Sequence, residues 1–428
     1  MSTGKAVSVG SRSQPFLTTI YRERTILKRL RCTYAELSLL PVRAVTITRR
    51  EKRAGRNKVV SCARAARQLK CKVKAKGHSP DMSSSSHSLV EAATERTAGY
   101  VSRIEERVES TVTSTALQLP ADVIEVKHEG KVRDVYRCKD FIVMVATDRQ
   151  SAFDRQLASV PFKGQVLNQT SLWWFEQTKH LVPNHVIASP HANITIGKKC
   201  SVFPVEFVMR GYITGSTSTS IWTNYNAGVR QYCGHTLPEG LVKNQKLEQN
   251  LLTPTTKDDV HDELISAEEI VTSGRMTQAD FDLCARYSHS LFAFSQQLAQ
   301  QRGLILVDTK YEFGKTADGQ ILLIDEIQTP DSSRFWVAES YQRRLAASPP
   351  QEPENIDKEF LRRWYADRCD PYKDAVLPEA PRELVCELSR RYIMIYEIMT
   401  GGSFAFADSS ADSMNAALEE YLQKKQQS

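Results

Sequence analysis

Apolar residues fall along this chain in two rhythms. Short runs of four to eight, bounded by turn residues, begin at residue 122 with "VIEVKHEG", "KVRDVYRC" and "DFIVMVAT", which predict β-strands, the last two joined as an antiparallel hairpin through Lys139 and Asp140. The same rhythm returns in "FPVEFVMRGY" and in two four-residue runs, 304–307 and 321–324, separated by the turn sequence Thr316-Ala317-Asp318-Gly319-Gln320. Helical spacing appears at 165–180 and at 277–302, where Thr277 reads as the N-cap and Asp280 as an Asp variant of the capping box. Two further helices are expected within 357–369 and 381–401, the second stopped by Gly401-Gly402. Strands first and long helices later predict an α+β chain of two lobes, divided at 122–210 and 211–402. Residues 82–121 read as a linker with one polar helix, and 403–428 as a polar tail.

The two strands around the 316–320 turn end in charge. Side chains alternate faces along a strand, so Asp308, Lys310 and Glu312 share one side if the strand continues through them, and Asp325 with Glu326 closes the neighbouring strand. Carboxylates gathered in this way repel one another unless a lysine or a metal cation lies between them, and Mg2+ is the usual cation of phosphate chemistry. A surface hairpin with a salt bridge accounts for the same stretch equally well. Gly130 between strands would let backbone N–H groups approach an anion, with Lys131 and Arg133 on one face, although a plain β-turn carrying two solvated cations has the same sequence. Arg210, Gly211, Gly215 and Ser216 combine a guanidinium, flexible backbone and a hydroxyl, as a phosphate monoester requires; a turn whose arginine meets an acid is the alternative.

Charge divides the chain unevenly. Residues 1–80 carry 20 Lys and Arg against 3 Asp and Glu, +17 of the overall +7, which leaves −10 on the remaining 348 residues. An acidic body argues against nucleic-acid binding by the folded part. The acid-poor, Arg- and Ser-rich leader reads as an organellar transit peptide over 1–81, with a basic binding arm as the alternative and Met82 as a possible internal start that would leave the protein in the cytosol. No apolar run approaches the roughly 18 residues of a membrane span. Nine cysteines, none in a C-x-x-C pair, argue against a zinc site or a disulfide framework. No G-x-S-x-G elbow, H-E-x-x-H pair or dinucleotide fingerprint is present.

Six motifs then converge. "GKVRDVY", "DRQSAFD", "VMRGYITGS", "LTPTTK", "LVDTKYEFG" and "DEIQTPDSSRFW", in this order, closely resemble the SAICAR synthetase family of purine biosynthesis, over roughly residues 122–402. The resemblance implies a two-lobed fold related to kinase and ATP-grasp architecture, with ATP between the lobes. It also implies an ATP-dependent ligase that joins L-aspartate to carboxyaminoimidazole ribonucleotide with Mg2+. Carried over by motif, Gly130, Lys131 and Arg133 hold ATP phosphates, Glu206 and Val208 border the adenine, and Lys257 contacts ATP. Glu312 and Asp325 bind Mg2+; Arg210, Ser216 and Arg334 grip the ribonucleotide phosphate; Asp331, Ser332 and Ser151 lie on the substrate side. Asp308 and Lys310 stand beside the reacting carboxylate, and Asp308 or Asp154 accepts the amine proton. Plant-like members place the chain in the chloroplast stroma, with the mitochondrial matrix as the alternative. A small-molecule kinase or a nucleotide-binding regulatory protein would use similar phosphate machinery. The motifs do not address oligomeric state.

Overall fold

Residues 88–120, 123–257 and 262–427 are described by the computed structural model. The expected leader, the start at Met82 and His261 lie outside them. The described residues belong to one unit, Asp81–Ser428.

The chain opens with α1 (Leu89–Ala98) and α2 (Val101–Arg107), then forms β1 (Ile124–Glu129), β2 (Arg133–Cys138) and β3 (Phe141–Ala146). A small ribbon of β4 (Arg149–Ala152) and β5 (Arg155–Ser159) leads to α3 (Lys163–Thr178), followed by β6 (Val186–His191) and β7 (Ile194–Lys198). Strands β1, β2, β3, β7 and β6 lie in that order in one antiparallel sheet. The "DFIVMVAT" run forms its third strand, and most of β3 is buried because both faces are covered.

A second sheet is built around one long strand. Following β8 (Ser201–Val202) and β9 (Val205–Tyr212) come α4 (Ile221–Asn226), the ribbon β10 (Gln231–Tyr232) and β11 (His235–Thr236), then β12 (Lys246–Leu252) and β13 (Thr255–Thr256). Helices α5 (Ala267–Thr272) and α6 (Gln278–Gln301) lead to β14 (Leu304–Lys315), β15 (Ile321–Ile324) and β16 (Ser333–Val337). β14 pairs with β9 along one edge and with β16, then β15, along the other. Its inner face, with Tyr311 and Phe313, joins Phe207 of β9 and Phe281, Leu291 and Phe292 of α6 in the principal core. Thr277 caps α6 by accepting the Asp280 amide, as expected, while the Asp280 carboxylate turns to Lys315 at 3.0 Å. The chain closes with α7 (Ala338–Leu345), α8 (Glu359–Ala366), α9 (Arg382–Thr400) and α10 (Ala411–Gln427). Gly401 ends α9 at φ 74°, a conformation open to glycine.

Three expectations change. Residues 88–107 are not a linker: Ser88 forms a full capping box with Glu91, Ala93 and Ile104 are wholly buried, and Glu397 of α9 accepts bonds from Arg96 and Tyr100. Their apolar residues are too few to signal burial until a facing helix supplies the rest. The tail is also structured, since α10 places Met414 and Leu418 in the core of the five-stranded sheet. Finally, the boundary set at 210 falls inside β9, whose partners all belong to the second sheet.

Candidate active site

Register places the polar row. Asp308 of β14 stands opposite Arg210 of β9 on one side and Arg334 of β16 on the other, and Lys310 stands opposite Val208. Alternation therefore lines Asp308, Lys310 and Glu312 against Arg210, Val208 and Glu206 on one face of the sheet. Arg334 Nη1 donates to Asp308 Oδ2 at 2.5 Å, and Arg210 Nη1 approaches the same oxygen at 3.6 Å. Arg334 Nη2 reaches Glu359 of α8 at 3.4 Å, and Glu359 in turn accepts the Ser216 hydroxyl at 2.7 Å. Arg210, Asp308, Arg334 and Glu359 are buried. Burial raises the Glu359 carboxyl, but Arg334 and Arg362 outweigh it and hold it at about 2. A folded turn holds Ser216 here: Gly215 has φ 106°, and a Cβ on it would fall 2.3 Å from Ser220 Oγ, so only glycine fits.

The other end of the row gathers carboxylates. Lys257 donates to Glu312, while Lys310 donates to Glu206 at 2.5 Å and lies 3.5 Å from Glu312. Arg133 comes across from the first sheet to donate to Asp325 at 3.2 Å and to Glu326 at 2.6 Å. Asp325 adopts φ 63°, a left-handed conformation uncommon outside glycine, and it follows directly after β15. Lys131 and Arg133 have different partners: Lys131 pairs with Asp154 at 2.7 Å at the surface, and Arg133 is enclosed by acids. Phe153 and Asp154 also have positive φ, at the tip of the β4–β5 ribbon. Gly130 closes the turn before β2 by donating its amide to Arg133 and accepting Arg149 at 2.8 Å.

Between the two ends lies a cavity of about 240 Å³. Of the residues singled out from sequence it is lined by Glu206, Val208, Arg210, Asp308, Lys310, Asp331, Ser332 and Arg334. Glu312 joins it through Lys310, and Lys257 through Glu312, while Arg133 and Asp325 pair with each other outside its lining. Ser216 lies under Arg334 in an adjoining hollow, while Ser151 is buried in β4 outside the cavity lining. Asp331 spends both oxygens on the protein: Oδ1 accepts Gln150 Nε2 at 3.1 Å and the Tyr392 hydroxyl at 3.0 Å, and Oδ2 accepts Lys358 at 3.1 Å.

Sequence reasoning missed Lys358, Arg362 and Asp262, which also line the cavity. The first two had a usable signal, because Lys358 and Arg362 are four apart at the opening of α8 and so share a helix face. Asp262 had none. Burial and the neighbouring Glu206 push its carboxyl up to about 6. Among the described residues no cluster of three His, Cys, Asp or Glu side chains is arranged as a ready-made metal cage.

The arrangement offers two anion grips, one buried and one open, with carboxylates beside the open one. A chain so equipped can neutralise a phosphate at one end while holding a metal-bound polyphosphate at the other. The family model described as SAICAR synthetase matches residues 126–378. A phosphoribosylaminoimidazole-succinocarboxamide synthase of Legionella pneumophila strain Lens is 60% identical over 289 residues, 68% of this chain and 92% of the relative. A relative of the same name from Arabidopsis thaliana, described as chloroplastic, is 58% identical over 298 residues, covering 70% of this chain and 72% of its own. Among solved structures, the SAICAR-synthase of Saccharomyces cerevisiae complexed with SAICAR superposes with a TM-score of 0.57 at 28% identity, over 68% of this chain and 99% of that one.

Proposed function

This chain belongs to the SAICAR synthetase family, and from that premise we propose how its cleft divides the work of an ATP-dependent ligase of purine biosynthesis among its residues. The observation that carries the reading is the cross-strand row in which Asp308 is held by Arg210 and Arg334, with Lys310 and Glu312 two and four residues further along β14. Carboxyaminoimidazole ribonucleotide fits with its phosphate at Arg210, Ser216 and Arg334, where guanidiniums supply forked donors for phosphate oxygens. Lys358 and Arg362 add positive charge to this end. ATP fits at the opposite end, its phosphates reaching Lys131, Lys257 and Arg133, and its base against Glu206 and Val208.

Glu312 and Asp325 would hold Mg2+. The fit is chemical: both are hard oxygen donors close to the expected phosphates, and Mg2+ usually takes only one or two carboxylates, completing its shell with water and phosphate. Bound there, the ion would neutralise charge on the transferring phosphoryl group. The ion pairs support this reading, since Lys257 covers Glu312 and Arg133 covers Asp325, so each acid already sits beside positive charge.

A carboxylate is a poor electrophile. The γ-phosphoryl group therefore passes first to the substrate carboxylate beside Lys310, giving an acyl phosphate whose phosphate leaves when the aspartate amine attacks the carbonyl carbon. The amine must shed a proton. Asp308 is committed to two guanidiniums and Asp154 pairs with Lys131, so we assign the proton to Asp262, which lines the cavity with its carboxyl pushed up to about 6.

Residues 1–81 would direct the chain to the chloroplast. Their acid-poor composition and the chloroplastic relative support this, and fluorescence of residues 1–81 fused to a reporter tests it.

The deciding assay follows ADP and the amide product by mass, with Mg-ATP and the ribonucleotide, with and without L-aspartate. Equal ADP and amide only when all substrates are present supports the assignment. ADP without amide would reduce the protein to a kinase.

A further inference from the structure

Behind the Pro-Asp-Ser-Ser-Arg loop lies a charged side chain, Lys163, that the reaction above does not use. Lys163 opens α3 with its side chain wholly out of solvent, and its Nζ makes no hydrogen bond. It stands 3.5 Å from Asp331 Oδ1, the oxygen that already accepts Gln150 and Tyr392. Lys358 holds the other oxygen and lines the cavity, whereas Lys163 does not. Two ammonium groups therefore flank one carboxylate, a wholly buried one behind it and a partly exposed one in front, open to the cavity. An ammonium buried without hydrogen bonds is costly, and a fold that only needed to fill this space could use methionine.

We propose that Lys163 is a positioning residue: by sharing the charge of Asp331 from behind, it keeps the Lys358 ammonium fixed in the cavity yet loosely enough held to turn to an anionic group of the substrate. Were Lys163 uncharged, the whole charge of Asp331 would fall on Lys358, and a substrate anion would have to compete with a tighter pair. The inference rests on the reading that this end of the cavity takes the ribonucleotide.

The charged groups facing Lys358 are Asp331 from the loop, Lys163 from α3, and Arg362 on its own helix, and Tyr392 of α9 reaches the same carboxylate. Burial lowers the Lys358 ammonium to about 8, Asp331 opposes that, and Arg362 and Lys163 add to it. The same pair of lysines outweighs burial at Asp331 and holds its carboxyl well below the usual range.

Lys163→Met keeps length and removes charge; Lys163→Arg keeps charge. With the full chain at saturating ATP and aspartate, Lys163→Met should raise KM for the ribonucleotide about tenfold while changing kcat less than about threefold. Lys358 is expected to set the alkaline limb of kcat/KM, and Lys163→Met should move that limb upward, since the repulsion that lowers Lys358 is gone. Lys163→Arg should restore both. An unmoved limb, or a loss confined to kcat, overturns the proposal. Should Lys163→Met not fold, Tyr392→Phe removes a neutral bond to the same oxygen and should move KM and the limb in the same direction by less; no movement in that variant also overturns it. Arg334→Ala serves as the control. If it leaves KM for the ribonucleotide unchanged, the reading of this end fails and takes the proposal with it; if it raises KM and Lys163→Met does not, only the role of Lys163 fails.

Discussion

The two ends of the cleft hold charge in opposite ways. At the arginine end Arg334 and Asp308 pair with side chains only 10% and 8% exposed, and Glu359 and Arg210 enclose them. At the open end Lys131 and Asp154 pair at 59% and 41% exposure, and Lys257 at 40% covers Glu312. Exposed lysine pairs are weak and easily exchanged, so a triphosphate and its metal can replace a carboxylate at little cost. Buried guanidiniums are fixed in advance, which suits a group that must be held in one place while chemistry proceeds beside it. The difference teaches that one sheet face can carry both a rigid grip and an adaptable one, according to how deeply each end is covered.

Variants at the two ends should separate accordingly. The largest effect is expected at the acids proposed to hold the metal: Glu312→Ala or Asp325→Ala should lower kcat by about a thousandfold or more while the urea midpoint changes little, because positioning and charge neutralisation supply most of phosphoryl-transfer catalysis. Near-normal turnover in either would remove the metal assignment. Arg334→Ala comes next. It should raise KM for the ribonucleotide and also destabilise the protein by about 3 kcal/mol, since Asp308 and Glu359 would be left buried with one partner fewer; urea unfolding that matches the parent would show that this end is not prebuilt. A smaller effect is expected from acid. Glu359 is ionised at about 2 in the fold against an ordinary 4.5, so its contribution is present above about 4.5 and is lost as pH falls towards 2. Glu359→Gln should flatten that part of the stability curve, and parallel curves for variant and parent would refute the assignment. The smallest effect belongs to Lys131→Ala, which should change stability by less than about 1 kcal/mol, as exposed pairs do. Its effect on KM for ATP should shrink as salt rises; a stability loss as large as that of Arg334→Ala would abolish the contrast between the ends.

How much of this was legible beforehand follows from distance along the chain. The strand run from Leu304, the turn at Thr316, the cap at Thr277 and the stop at Gly401 were set by local pattern, because alternation, helical period and termini depend on neighbours a few residues away. Alternation alone put Asp308, Lys310 and Glu312 on one side, and the order of six motifs named the family. Tertiary structure decided who meets whom. Arg133 finds Asp325 across 192 residues of chain, and that required the two sheets to face each other. Strand order placed Arg210 and Arg334 on opposite flanks of Asp308, and the docking of α8 brought in Lys358 and Arg362. The segments before Ile124 and after Phe404 looked polar because each buries only a few side chains against surfaces formed elsewhere. Lys163 illustrates the division best: the helical spacing from 165 onward places it just ahead of a helix, but only the folded chain puts it behind Asp331, where the low dielectric of the interior gives its charge a reach that it would not have in water.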